Sequence, residues 1–361
     1  MQKIKLTNKT IFNIACVAIV VILLGYLQAT EIENSYAITI IERSCIYAVA
    51  AVSMNLMIGF TGQFSLGTAG FMCLGAYITG IFTMPIEIRD QVYYLYGMAS
   101  FIHNIQVPLV VALLISGVIG AIIAFLIGWP VLRLKSDYLA IANLGFSEIV
   151  RAVLGWDGLG KITNASYGLS NIPAFSSIFQ AVIICGVCIA LMLLMINSSY
   201  GRAFKAIRDD DIAAEAMGIN LFKIKQLAFV VSSFFATVAG GLMAVFLRSA
   251  ATSTFTVALT YNILLMVVIG GIGSVSGSVL GAFLITAGQE WLRFLDKEYY
   301  IGSFKVPFTR TGFRMVIFSV LLMLFVLFWN KGIMGSKEFS FDWFKNIYKS
   351  IKRRIRRKKN V

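Results

Sequence analysis

Long apolar runs alternate with short polar breaks along almost the whole chain. The runs cover 11–29, 44–59, 66–84, 107–129, 137–154, 178–197, 227–247, 258–270, 277–289 and 312–330. A helix of roughly 20 apolar residues crosses the hydrocarbon core of a bilayer. Membrane barrels instead alternate apolar and polar side chains in segments of about 10 residues, and these runs do not alternate. The pattern predicts an all-α polytopic membrane protein with about ten transmembrane helices. Composition agrees with it. The 361 residues are 58% hydrophobic and 13% charged, against about 25% charged in soluble domains. A soluble fold of this size could not hide so much apolar surface.

Two breaks are rich in glycine and polar side chains. The first runs Gly59-Phe60-Thr61-Gly62-Gln63-Phe64-Ser65-Leu66-Gly67 and the second Gly270-Gly271-Ile272-Gly273-Ser274-Val275-Ser276-Gly277. Such backbone at membrane depth must be buried in protein or line a cavity, so both are predicted to be broken or re-entrant segments. Gly273, Gly277 and Gly281 recur at i, i+4 and i+8, which predicts a helix face that a neighbour approaches closely. Half-helix ends lining a pathway are the other reading.

The most polar interior stretch is Tyr200–Gln226, within a segment of about 198–226. It carries Arg202, Lys205, Arg208, Asp209, Asp210, Asp211, Glu215, Lys223 and Lys225 between two apolar runs. It predicts a short amphipathic helix, with acids near its start where they complement the helix dipole and Gly218 at the C-cap position. A contact surface for a soluble partner and an ordinary solvated loop both fit these residues.

Charge sets the orientation. Formal net charge is +14, and the tail from Lys331 holds Lys331, Lys337, Lys345, Lys349, Lys352, Arg353, Arg354, Arg356, Arg357, Lys358 and Lys359. Basic residues collect on the cytoplasmic side and on anionic lipid, so no nucleic-acid partner is expected. Arg133, Lys135, the 198–226 segment and the tail fall on one side of the predicted membrane. Arg89, Lys161 and Arg248 are spread thinly on the other. The 290–311 loop fits less well, with Arg293, Lys297, Lys305 and Arg310. Both termini are predicted to be cytoplasmic. The division is a transmembrane domain, 1–335, and a basic tail, 336–361. Lys3, Lys5 and Lys9 before the first run resemble a signal peptide, but the run is long and lacks a small-x-small cleavage site, so it is read as a retained span.

Motifs for catalysis fail. Gly155-Trp156-Asp157-Gly158-Leu159-Gly160-Lys161-Ile162 nearly matches a phosphate-binding loop, but Ile162 stands where the metal-binding hydroxyl belongs. Cys185-Gly186-Val187-Cys188 has neither two further ligands nor a βαβ setting, and reads as packing. Glu148 and Arg151 are three apart and can pair on one helix face. His103 stands alone in its predicted loop and is given no role. No metal, no cofactor and no catalytic residue are expected.

Several stretches, in order from about Ile41 to Gly335, resemble the membrane permease subunits of branched-chain amino acid ABC importers. Asn55-Leu56-Met57-Ile58-Gly59-Phe60-Thr61-Gly62-Gln63-Phe64-Ser65-Leu66-Gly67 is similar to the family's first break. Leu132–Ile141 and Phe146–Arg151 follow its next signature. Gly201–Arg208 leading to Ala214-Glu215-Ala216-Met217-Gly218-Ile219 resembles its EAA loop. Gly312-Phe313-Arg314-Met315 and Gly332-Ile333-Met334-Gly335 fit its last span, with Trp329-Asn330-Lys331 departing from the usual Arg-Pro-Arg. The resemblance implies a multi-pass protein of a bacterial inner membrane. It implies three kinds of partner besides the lipid bilayer: a second homologous permease, two cytoplasmic ATPase subunits and an external substrate-binding protein. It assigns Asp211, Ala214, Glu215, Ala216, Gly218 and Ile219 to coupling. The two breaks make Asn55, Gly59, Gly62, Gln63, Ser65, Gly67, Gly270, Gly271, Gly273 and Gly277 pathway or helix-break candidates. Related permeases carry urea or short amides. An ion-coupled secondary transporter and a membrane scaffold also stay open.

Overall fold

The computed structural model describes residues 25, 28, 31–133, 136–293, 300–301, 304–305, 313–328, 332–335 and 338. The predicted span 11–29 lies almost wholly outside them, as do Lys135, Lys297, Arg310, Gly312 and the basic tail apart from Glu338.

The described chain is a helical bundle. Its helices are α1 (Glu31–Asn55), α2 (Thr68–Thr83), α3 (Ile86–Val92), α4 (Leu109–Val131), α5 (Ser136–Leu154) and α6 (Ile178–Asn197), followed by α7 (Ser199–Asp209) and α8 (Asp211–Ala216). Then come α9 (Leu221–Leu247), α10 (Val257–Gly270), α11 (Val275–Trp291) and α12 (Phe313–Phe328). Two-residue strands pair antiparallel: β1 (Leu169–Ser170) with β2 (Ser249–Ala250), and β3 (Tyr300–Ile301) with β4 (Phe304–Lys305).

Each predicted apolar run within the described residues coincides with a helix. Among the described residues, four helical stretches are long and apolar enough to cross a bilayer: Tyr36–Phe60, Leu109–Val131, Ile178–Asn197 and Leu221–Leu247. A fifth candidate pairs Tyr138–Leu154 with Asp157–Thr163 across a 59° bend. The apolar stretches Thr68–Thr83 and Val257–Gly270 are shorter, because the glycine-rich breaks cut into the runs.

α1 and α9 form the centre. Residues 44–57 are all buried, as expected of a helix that is apolar all round. α9 packs on α1, α2 and α4, while α11 and α10 pack on the far side of α1. Small residues let the backbones close up: a Cβ on Gly75 would strike the Thr237 carbonyl, and one on Gly240 the Met72 carbonyl. The outer faces remain apolar. On α4, Val110, Leu114, Val118, Ile122, Phe125 and Trp129 are exposed, and on α6 Ile183, Val187, Leu191 and Leu194. Stripes of this size on a soluble surface would drive association; in a bilayer they meet lipid.

Arg89, counted in the sequence only as a loop charge, is fully buried and organises the connection from α2 to α4. Its guanidinium donates to the carbonyls of Ile81 (3.2 Å), Met84 (2.9 Å), Ile102 (2.7 Å), His103 (2.8 Å) and Ile105 (2.8 Å). His103 is not alone: its Nε2 lies 3.2 Å from Asp90 and its Nδ1 3.1 Å from Asn104. The Asn104 hydrogen bond first, and then Asp90, raise the His103 pKa above its usual value. Cys185 and Cys188 are buried and free, as packing residues should be.

Candidate functional site

The first break begins where α1 widens into a π-helical turn, Leu56–Phe60. The chain then runs without regular structure to Gly67, and Gly62 turns it with φ of +72°. Thr61 Oγ1 satisfies the loosened end by donating to the Leu56 and Met57 carbonyls, at 2.8 and 2.9 Å. α5 holds the other end: Ser147 Oγ donates to the Gly67 carbonyl and accepts from Gly70 N, both at 3.0 Å. Ser65 Oγ accepts from Gly67 N at 3.4 Å. Gln63 of the break and Asn143 of α5 are both buried, and neither amide has a protein partner at its oxygen or nitrogen. A buried unpaired polar group costs about 1–3 kcal/mol. Such groups suit water or a passing polar ligand.

The second break lies against the first. α10 ends at Gly270, Gly271 and Gly273 take φ of +122° and +83°, and Ser274 Oγ caps α11 by accepting from Gly277 N at 3.0 Å. Asn55 ties the two together. Its Nδ2 donates to the Ser274 carbonyl (2.9 Å) and Ser278 Oγ (2.7 Å), and its Oδ1 accepts from Gly273 N (2.9 Å). The predicted three-glycine helix face needs correcting here. Gly273 sits in the turn, ahead of the Ser274 cap, so only Gly277 and Gly281 lie on α11. There they face the Gly270 and Met266 carbonyls.

The polar segment holds two helices, and the predicted short helix is the second of them, α8. Asp210 separates them: it ends α7 in an extended conformation and caps α8, its carboxylate accepting from Ile212 N (2.9 Å) and Ala213 N (3.0 Å). Gly218 closes α8 with φ of +85°. Gly218 N donates to the Glu215 carbonyl and Ile219 N to the Ala214 carbonyl, the Schellman pattern that favours glycine. Of the predicted coupling residues, Ala214 is buried, Ile219 is half-buried and Glu215, Ala216 and Gly218 are exposed. Asp211 is held by Lys225 Nζ at 2.6 Å. Ile212 and Met217, not singled out from the sequence, are 81% and 83% exposed. Their signal is visible in retrospect as two large apolar residues inside a polar stretch.

Arg208 connects this segment to the breaks. From the last turn of α7 its Nη1 donates to the Gly59 carbonyl at 3.0 Å, and Asp209 accepts from its Nη2 at 2.8 Å. Its side chain fills the space that a Cβ on Gly62 or Gly273 would enter. Lys205, one turn earlier, stands 5.6 Å over the Phe60 ring.

The segment 332–335 does not extend the last helix, which ends at Phe328. It returns onto the second break, where Ile333 N donates to the Ile269 carbonyl (2.8 Å) and Met334 N to that of Gly270 (3.0 Å). Beyond it, Glu338 accepts from Val275 N (2.7 Å), Ser276 N (3.0 Å) and Ser276 Oγ (2.6 Å) at the start of α11. A cavity of about 960 Å³ opens between these parts, with Lys205 and Arg208 on one wall and Ser276 and Glu338 on another.

Two further predicted features fall away from this centre. Glu148 and Arg151 pair with each other on α5. Gly155–Ile162 is a bend and two short helical turns, and Lys161 is exposed.

Exposed apolar faces, spanning-length helices and two interlocked helix breaks define a multi-pass α-helical membrane protein. A family model described as the permease component of branched-chain amino acid transport systems matches residues 36–328, and the chain belongs to that family. Among its relatives are the high-affinity branched-chain amino acid transport permease proteins LivM of Salmonella typhimurium and of Escherichia coli K12. Each is 30% identical, over 71% and 69% of this chain. The aligned chain spans 64% and 61% of those two proteins. A probable LivM of Methanocaldococcus jannaschii is 24% identical over 81% of this chain and 91% of its own length. No solved structure matches the chain.

Proposed function

We propose that the chain is a permease subunit of an ATP-driven importer that moves branched-chain amino acids delivered by an external binding protein across a bacterial inner membrane. In this reading it crosses the membrane about ten times, from a cytoplasmic N-terminus to the cytoplasmic basic tail. It pairs with a second, similar permease, and each permease receives one ATPase subunit. The chain itself does no chemistry; it converts ATPase closure into movement of the breaks.

One observation carries the reading. α8 presents Ile212, Glu215, Ala216 and Met217 to solvent, and the adjoining α7 places Arg208 on the Gly59 carbonyl, between the two breaks. A force applied to α8 passes through Asp210 and α7 into both interruptions at once. A solvated loop has no need of such a link.

The test is co-purification and flux. With its ATPase partners, second permease and binding protein in liposomes, the chain should support ATP-dependent leucine uptake. Met217→Asp should detach the ATPase. Uptake by the chain alone, driven by an ion gradient, would instead establish a secondary carrier. Uptake of urea or acetamide without leucine would reassign the substrate.

A further inference from the structure

A second cleft, away from the coupling segment, lies among α1, α10, α11 and α12. Its volume is about 530 Å³, within the 300–1,000 Å³ usual for small-molecule sites. An ion pair between a spanning-length helix and the end of α11 lines it. Arg43, within the spanning stretch Tyr36–Phe60, has Nη1 3.1 Å from Oε1 of Glu290 in the last turn of α11. The sequence reading left Arg43 just outside a span and put Glu290 in a loop. The two side chains are only 30% and 17% exposed. Arg43 Nε is buried with no hydrogen-bond partner, so the guanidinium has donor capacity to spare. The hydroxyls of Thr254 and Thr256 also line the cleft. The apolar part of the lining is made by Leu259, Leu265, Phe318 and Leu322, with Tyr261, Asn262, Gln289 and Ser319 beside them.

Ionisable groups at membrane depth are costly and concentrate on substrate pathways. A zwitterion in such a place is costly too, unless both ends are paired. A ready-made cation–anion pair solves that problem. Glu290 Oε2 also meets Tyr36 Oη (3.4 Å) and Arg293 Nη1 (3.8 Å), so opening the Arg43 contact to take a carboxylate on the arginine and an ammonium on the glutamate gives one ion pair more than before, with no change in net charge. The apolar walls then receive the aliphatic side chain. We propose that this cleft is a binding station for an aliphatic zwitterionic amino acid, its carboxylate on Arg43 and its ammonium on Glu290. The inference rests on the importer reading and adds to it a place in this chain where the substrate is held.

The test uses the whole importer in liposomes, with radiolabelled leucine and valine at concentrations below saturation. Arg43→Gln and Glu290→Gln should each lower leucine uptake at least about tenfold, the cost of one lost charge-assisted contact. The reversed pair, R43E with E290R, rebuilds the ion pair but turns the bound amino acid round, pointing its side chain away from Leu265 and Phe318. Uptake should stay low although the protein accumulates normally. Recovery to wild-type uptake would make the pair structural and overturn the proposal. Leu265→Trp keeps both charges and fills the cleft, so it decides the matter if the charge variants fail to accumulate. Leucine uptake should fall at least about threefold more than valine uptake, and equal losses, or none, would also overturn it. Absence of uptake by the wild-type importer is a separate result, against the importer reading itself.

Discussion

Four glycines of the two breaks differ in what a side chain would meet, and so in what substitution should cost. Gly62 and Gly273 have φ of +72° and +83°, which costs an L-residue roughly 1–2 kcal/mol. Gly277 faces the Gly270 carbonyl, 2.5 Å from where its Cβ would be, and overpacking of that kind costs about 1–3 kcal/mol. Gly67 has ordinary φ and a Cβ position 3.3 Å from the Asn143 carbonyl. Alanine at 62, 273 or 277 should therefore lower the melting temperature in detergent clearly, and alanine at 67 least. A melt in which Gly67→Ala is the worst of the four would refute this description of the breaks. Arg89 makes a second case. Lysine has three donors where the guanidinium serves five carbonyls, so Arg89→Lys should destabilise by about 2–4 kcal/mol. A melting temperature within a degree of wild type would show the carbonyls to be satisfied otherwise. The glycines were legible because their types and spacing are unusual. Arg89 was not: its acceptors are spread from Ile81 to Ile105, and no periodicity marks a residue that bonds to backbone.

The helices themselves were legible for a simple reason. In a bilayer every span must be a continuous apolar run that satisfies its own backbone, so composition and element coincide. The ends were less so. α9 starts at Leu221, six residues before its apolar run, because Asn220 caps it and the first turns mix Lys223, Lys225 and Gln226 with Leu221, Phe222 and Ile224. Within the polar segment the short helix closed by Gly218 was legible from its acids and its glycine, but the separate helix α7 before it was not. The break at Asp210 is a competition between continuing α7 and capping α8, and three successive aspartates do not say which of them caps. Arg208 was quoted within a motif but given no role, because its partner, Gly59, is 149 positions away. Its role has a test at this scale. Arg208→Met keeps much of the packing and loses the bond to Gly59. It should leave ATPase binding intact and lower leucine uptake at least about tenfold, the effect of about 1.4 kcal/mol, while ATP hydrolysis continues. Glu215→Lys and Gly218→Trp alter the exposed face of α8 and should instead lower ATPase binding. Normal uptake in Arg208→Met would remove the mechanical link from the mechanism.

At the scale of the molecule the question is where the energy for transport enters. The near-match to a phosphate loop, Gly155–Ile162, is anchored to the α2–α4 connection rather than open to a nucleotide. Tyr96 Oη donates to Asp157 (2.8 Å), Tyr93 Oη donates to the Ile162 carbonyl (2.6 Å), and Ala99 N donates to that of Lys161 (3.0 Å). A phosphate-binding loop works by turning a run of backbone N–H groups onto the anion between a strand and a helix. Here the residues before it belong to α5, and the residues within it form short helical turns. Lys161 therefore has no phosphate to meet. The purified chain should neither bind nor hydrolyse ATP, and Lys161→Ala should leave hydrolysis by the assembled importer unchanged within about twofold, about 0.4 kcal/mol. Hydrolysis should arise only when the ATPase partners are added, and should rise with loaded binding protein under the proposed mechanism, in which α8 and α7 transmit force to the two breaks. If the isolated chain turned over ATP and Lys161→Ala abolished it, energy would be entering at α5 rather than at α8, and the path from Met217 through Arg208 to Gly59 would have nothing to transmit.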